Sequence, residues 1–240
     1  MQKVYLLKFT SKDIMKYTKY IFLLFCFAFL TWCQSTSIQS NNDTQASELV
    51  VEVSQKTIFA LWDSLTAGYQ LPIEDSYPSQ LQKMLKQRWY DVKVINGWHS
   101  GDTSAQLLQR LSRNTADAQS GDVVLLVIGA NDGLQWLNLT QLEQNIRKII
   151  VELQKKDLMI VIWGMQLPLN QGAEYRETFT SIYPTLASEY NLPIIPFFLE
   201  WVAWEASLNL PDGIHPTKEG YTLIANNIAD FLEEQILPQE

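Results

Sequence analysis

Six consecutive apolar residues, Val123-Val124-Leu125-Leu126-Val127-Ile128, constrain the fold more than any other feature of the chain. A strand with one wet face alternates apolar and polar residues, whereas an unbroken run suits a strand covered on both faces, as in a parallel sheet between helices. Shorter apolar runs at 57–61, 92–95, 159–162 and 194–197 read as further strands. Between and after them, 77–88, 104–118, 140–156, 174–190 and 218–235 read as amphipathic helices. Leu142, Ile146, Ile149, Ile150 and Leu153 fall on one helical stripe, with Glu143, Arg147, Lys148 and Lys155 elsewhere. Tyr221, Ile224, Ala225, Ile228 and Leu232 form a second stripe. Strands alternating with helices predict an α/β doubly wound sheet, which places ligands at the carboxyl ends of its strands.

The N-terminus is of a different kind. Lys3, Lys8, Lys12, Lys16 and Lys19 precede an apolar run over 20–31, the pattern of an export signal. A run of about twelve residues falls short of the roughly 18–20 that span a bilayer. Leu30-Thr31-Trp32-Cys33 resembles the bacterial lipoprotein box, in which a small residue precedes a lipidated cysteine, although Trp32 departs from it. Cys33 also reads as an ordinary signal residue lost on cleavage. The expectation is an export signal with a lipoprotein box over 1–33, a polar tether over 34–54 and one folded domain over 55–240. Lipidated at Cys33, the protein would be exported and anchored to a membrane, facing the periplasm or the cell exterior. A net charge of −8 argues against a nucleic-acid partner. Both cysteines, Cys26 and Cys33, precede the domain, which therefore has neither a disulfide framework nor a cysteine-based zinc site. No metal and no cofactor is expected.

Chemistry is sought where the strands end. After the first comes Trp62-Asp63-Ser64-Leu65-Thr66-Ala67-Gly68-Tyr69; a serine at a strand-to-helix turn can expose its hydroxyl above the sheet, while Asp63-Ser64 taken alone reads first as a helix cap. After the second comes Asn96-Gly97-Trp98-His99-Ser100-Gly101-Asp102-Thr103, where Gly101 permits close approach to its N–H, or Asp102 or Thr103 caps a helix. After the third, the Asn131 amide of Gly129-Ala130-Asn131-Asp132-Gly133 could donate to an oxyanion, or the segment is a plain turn. In Pro211-Asp212-Gly213-Ile214-His215-Pro216 an acid stands three residues before a histidine. Within one turn the Asp212 carboxylate can hold one ring nitrogen and leave the other to take a proton from a serine. His99, without an acid at such spacing, ranks below His215.

The order Ser64, Gly101, Asn131, Asp212 and His215 at successive strand ends resembles the SGNH or GDSL hydrolase family, and most of all its exported arylesterase, thioesterase and lysophospholipase group. The resemblance spans roughly 55–237 and includes Gly164-Met165-Gln166-Leu167-Pro168. It implies a three-layer α/β/α, flavodoxin-like fold with a five-stranded parallel sheet. It also implies Ser64 as nucleophile, His215 as base and Asp212 as its orienter, with an oxyanion hole made of the Ser64 and Gly101 N–H groups and the Asn131 side chain. The implied reaction is hydrolysis of carboxylic esters or thioesters, among them aryl and fatty acyl esters and lysophospholipids, through an acyl-enzyme. Its base must be neutral, so activity is expected to rise with pH through the imidazole range near 6.5.

Tryptophan departs from that pattern systematically. Trp62 and Trp98 stand at family glycine positions, Trp89, Trp136, Trp201 and Trp204 where glycine is common, and Trp32 and Trp163 where a small residue is usual. The chain has ten glycines and eight tryptophans in 240 residues. Glycine alone is then about 4% against an average near 7%, and the two together are about 7.5%. One cause would account for all eight: UGA codons that some bacteria read as glycine and others as tryptophan.

Two other functions fit the same residues. A carbohydrate or peptidoglycan O-deacetylase would prefer acetyl to octanoyl esters, and a lipid-active enzyme the reverse. A non-catalytic surface module, with genuine tryptophans at 62 and 98 blocking Ser64, would bind ligand without turnover.

Overall fold

Strand β1, Lys56–Leu61, opens the domain in the computed structural model, which describes residues 55–61, 64–97 and 101–237. The export segment, Trp32, Cys33, the tether, Trp62, Trp98 and His99 lie outside the described residues. After β1 come the short helix α1 (Ser64–Ala67), α2 (Tyr77–Gln87), β2 (Val92–Asn96) and α3 (Ser104–Asn114). The chain continues through β3 (Val123–Leu126), α4 (Ala130–Leu134), α5 (Leu139–Gln154), β4 (Met159–Trp163), α6 (Ala173–Tyr190), β5 (Ile194–Ile195) and α7 (Lys218–Gln235). The five strands are parallel in the order β2-β1-β3-β4-β5, the flavodoxin-like order expected of a three-layer α/β/α fold.

Every residue of β3 is fully buried, as its unbroken apolar run requires. The α5 stripe of Leu142, Ile146, Ile149, Ile150 and Leu153 is likewise fully buried. α2 packs against α7, while α5 packs against α3 and α6, so the helices form two groups that cover the sheet. The ladder ends level: Leu61 pairs with Leu126, which pairs with Ile162. The strand expected over 123–128 stops at Leu126, level with Leu61 and Ile162. Val127 and Ile128 stay buried, and the Tyr183 hydroxyl donates to the Ile128 carbonyl at 2.8 Å. The last strand is only two residues long: the Ile195 carbonyl accepts from the Gly164 N–H at 2.8 Å, but the Gly164 carbonyl takes the N–H of Phe198 at 3.1 Å, one residue past the Phe197 donor that a continued ladder would use. The helix expected over 104–118 stops at Asn114, where the Lys156 ammonium takes the Thr115 carbonyl at 2.6 Å.

Local turn chemistry completes the frame. Thr103 and Gln106 form a reciprocal capping box at the start of α3. α5 is capped by Asn138, whose side chain accepts from the Gln141 N–H at 3.1 Å. Among the described residues, non-glycine backbone is left-handed at Gln70, Trp89, Trp136, Asp157, Asn191, Trp201 and Trp204. For a bulky L-residue that conformation costs about 1–2 kcal/mol.

Truncation of the central strand tests the packing. Leu125→Ala is expected to lose about 2–5 kcal/mol of stability, seen as a lower urea midpoint at unchanged slope.

Candidate active site

Because β1 is flanked by β2 on one side and β3 on the other, the segments leaving β1 and β3 diverge and open a crevice at the carboxyl edge. Ser64 leaves β1 into that crevice as the first residue of α1, so its backbone N–H belongs to a helix start and points ahead of the helix. The Ser64 hydroxyl lies 2.8 Å from Nε2 of His215, and Nδ1 of His215 lies 2.8 Å from Oδ2 of Asp212. The three side chains form one continuous hydrogen-bonded row.

The turn carrying Asp212 and His215 is held by its own backbone. Asp212 Oδ1 accepts from the N–H groups of Ile214 at 2.9 Å and His215 at 3.0 Å, while the Leu210 N–H donates to the His215 carbonyl at 2.7 Å. Gly213 takes the left-handed conformation that closes the turn. Burial pushes the Asp212 carboxyl up, but the N–H groups of His215 and Ile214 and the His215 ring outweigh it and hold the carboxyl below its usual range. An ionised Asp212 accepts only, so Nδ1 carries the ring hydrogen and Nε2 presents its lone pair to the Ser64 hydroxyl. The Tyr69 ring covers the imidazole, its centroid 4.4 Å from that of His215.

The third corner comes from the segments after β2 and β3. Asn131 lies within the short helix α4 and not in a plain turn, and left-handed Gly129 starts the helix. The Asn131 side chain donates to the Asp102 carbonyl at 2.9 Å, joining it to the residue after Gly101. Gly101 has a φ of 84°, and a Cβ there would meet nothing within 4 Å. Thr103, one of the two expected caps, is the residue that caps α3.

Several supporting residues were not singled out from the sequence. Buried Asp132 accepts from the Ser104 N–H at 2.8 Å and from its hydroxyl at 2.6 Å, and Asn145 donates to the Ser104 oxygen at 3.0 Å. Burial raises the Asp132 carboxyl against the pull of those Ser104 bonds. The Asp102 carboxylate, also buried, pairs with Arg110. The Ser104 bonds tie the start of α3 to α4 at the residue after Asn131 and to α5, while the Arg110 pair holds Asp102 against α3. Their partners are too far apart in sequence for any spacing rule to find them; the one available hint was an acid beside Asn131.

A small apolar cavity of about 70 Å³ opens beside this row, lined in part by Leu65, Ala130, Leu167, Phe197, Trp204 and Ile214. Leu65 follows Ser64, Ala130 precedes Asn131, and Ile214 precedes His215. Phe197 and the segment around Leu167 both face it. Among the described residues no group of three or more His, Cys, Asp or Glu is placed to hold a metal ion, and no helix is long and apolar enough to cross a membrane. Such a constellation can do acyl-transfer chemistry: a hydroxyl on a base, an acid behind the base, and amide donors close by.

Known proteins share this arrangement of elements. The GDSL-like Lipase/Acylhydrolase family pattern matches residues 60–223. An arylesterase of Vibrio mimicus is 38% identical over 185 residues, covering 77% of this chain and 92% of its own length. Thioesterase 1/protease 1/lysophospholipase L1 of Escherichia coli is 35% identical over 183 residues, covering 76% and 84%. Among solved structures, that of TesA superposes with a TM-score of 0.70 at 32% identity, covering 75% of this chain and 99% of that one.

The Asp212 shift has a sign that can be measured. A carboxyl held below its unfolded value, about 3.9, contributes stability that is complete above that value and is lost as pH falls through the folded one. Urea midpoints of the natural chain and Asp212→Asn should therefore differ most near neutrality and converge in acid. A gap that stayed constant down to pH 2 would contradict the assignment.

Proposed function

From the premise that the chain belongs to the GDSL-like lipase/acylhydrolase family and is a carboxylic ester hydrolase, we propose that Ser64 is its nucleophile, His215 its general base and Asp212 the residue that orients and charges that base. The observation that carries the proposal is the unbroken row from the Ser64 hydroxyl through both ring nitrogens of His215 to Asp212. Ser64 Oγ attacks the acyl carbon while its proton passes to Nε2. The resulting imidazolium stays paired with Asp212 and returns the proton to the departing alkoxide or thiolate. Water then repeats the exchange on the acyl-enzyme and releases the acid.

Negative charge on the former carbonyl oxygen is met by the backbone N–H groups of Ser64 and Gly101 and by the Asn131 side chain. The bond to Asp102 fixes the direction of that amide before substrate arrives, so little reorganisation is left for the reaction itself. Open space over left-handed Gly101 supports its role, since a side chain there would crowd the acyl group.

Aryl and fatty acyl esters, acyl thioesters and lysophospholipids are the proposed substrates. They are supported by the names of the relatives and by an apolar cavity beside Ser64 that suits an acyl chain better than a sugar. The N-terminal part of the reading is that the protein is exported and lipidated on Cys33, supported by the lysines before 20–31 and the cysteine just after that run.

A fluorophosphonate probe should label Ser64 in the natural chain and fail in Ser64→Ala. Asn131→Ala should lower kcat by about 10²–10³ with little change in KM. Octanoyl esters should be turned over faster than acetyl esters; the reverse preference would redirect the reading to deacetylation, and binding without turnover would end it. For the anchor, the chain expressed in a lipoprotein-processing bacterium should partition into detergent, and Cys33→Ala should return it to the aqueous phase.

A further inference from the structure

Five tryptophans lie among the described residues, and four of them have left-handed backbone: Trp89 at φ 69°, Trp136 at 57°, Trp201 at 67° and Trp204 at 65°. Left-handed backbone is the normal conformation of glycine and is tolerated by asparagine and aspartate, but is an outlier for a bulky side chain. The other left-handed residues fit the rule better, since Asp157 and Asn191 are of the tolerant types and only Gln70 is not. Nor does burial repay the four indoles. Trp89 is 95% exposed, Trp201 77%, Trp204 64% and Trp136 55%.

Two of them occupy the position at which a helix most wants glycine. α2 ends with the Trp89 N–H on the Lys86 carbonyl at 3.2 Å and the Tyr90 N–H on the Leu85 carbonyl at 3.0 Å. At the end of α4 the Trp136 N–H meets the Gly133 carbonyl at 3.0 Å, and the Leu137 N–H meets that of Asp132 at 2.9 Å. Both pairs are the double bond of the Schellman motif, whose left-handed residue is usually glycine. After α5 the corresponding pair runs from Asp157 to Gln154 at 2.9 Å and from Leu158 to Leu153 at 3.4 Å, with a tolerant residue in the left-handed place.

We infer that the residues written Trp89, Trp136, Trp201 and Trp204 are glycine in the protein as its source organism makes it, each specified by a UGA codon that this organism reads as glycine. One codon meaning then extends to Trp32, Trp62, Trp98 and Trp163. Trp163 is the strictest case, because it is buried in β4 among Tyr77 and Phe198 and its backbone makes no demand for glycine. The consequence for function rests on the acyl-transfer reading above. Trp204 walls the cavity beside Ser64, with its ring 5.8 Å from that of Phe197, so glycine there opens the cavity to a longer acyl chain.

Protein isolated from the source organism decides the identity without reference to catalysis. Tryptic peptides should carry glycine mass at 89, 136, 201 and 204, and the gene should read UGA at all eight positions. Tryptophan mass at any of those four, or UGG at any of the eight, overturns the inference. In recombinant protein the four Trp→Gly replacements together should raise Tm over the all-tryptophan chain, and an unchanged or lower Tm counts against it. In a recombinant chain that already carries glycine at 62 and 98, Trp204→Gly should raise the ratio of octanoyl to acetyl turnover about tenfold. Glycine masses with an unmoved ratio would overturn the pocket consequence alone, whereas loss of all turnover in both chains would speak against the acyl-transfer reading.

Discussion

Burial of β3 on both faces between β1 and β4 is the constraint from which the rest of the structure follows. A strand with no polar side chain must be covered on both faces, here by helices, and helices that connect parallel strands return the chain to the same edge each time. The ladder stops at a common level across Leu61, Leu126 and Ile162, so the segments after β1 and β3 leave the sheet side by side. Ser64 and Asn131, 67 positions apart in sequence, are delivered to one crevice for that reason.

The two carboxylates of the site solve opposite problems. Asp212 sits in an exposed turn, where solvent keeps its charge inexpensive and where two backbone N–H groups and a ring nitrogen fix its direction. The stabilising bonds win over burial there, and the group is held as an anion behind His215. Asp132 is enclosed, so burial wins over the two Ser104 bonds and raises its carboxyl. Its value is positional: it locks the start of α3 against α4, and so steadies the Asn131 amide against the loop that holds Gly101.

The tryptophans give a measure of consistency across levels. At several other places local preference and tertiary structure agree, as in the capping box at Thr103 and the left-handed Gly213 in the Asp212 turn. At 89, 136, 201 and 204 they conflict, all in the same direction and all with the same residue type. Conflicts at functional sites are expected to be scattered in chemistry. A conflict that repeats with one residue, at helix ends remote from any chemistry as at Trp89, has the form of a single substitution made many times.

Much of this architecture was legible in the amino-acid order, because hydrophobic periodicity and short-range hydrogen bonding depend only on near neighbours. The apolar run at 123–128 required a doubly covered strand, the α5 stripe its buried face, and three residues' separation of Asp212 and His215 allowed a closed turn. The class of fold and the local half of the site were therefore determined by sequence. Where strands stop was not: β3 ends at Leu126 although its apolar run continues to Ile128, and β5 ends at Ile195 because the Gly164 carbonyl takes the N–H of Phe198 and not that of Phe197. The meeting of Ser64 with His215, 151 residues away, was decided by the return of the chain to one sheet edge. So were the hold of Asp102 on Asn131 and the Asp132 clasp on Ser104, each bridging about thirty residues that share no local signal. Tertiary packing alone could bring such groups within hydrogen-bond distance, because their separation along the chain leaves no local force to do so.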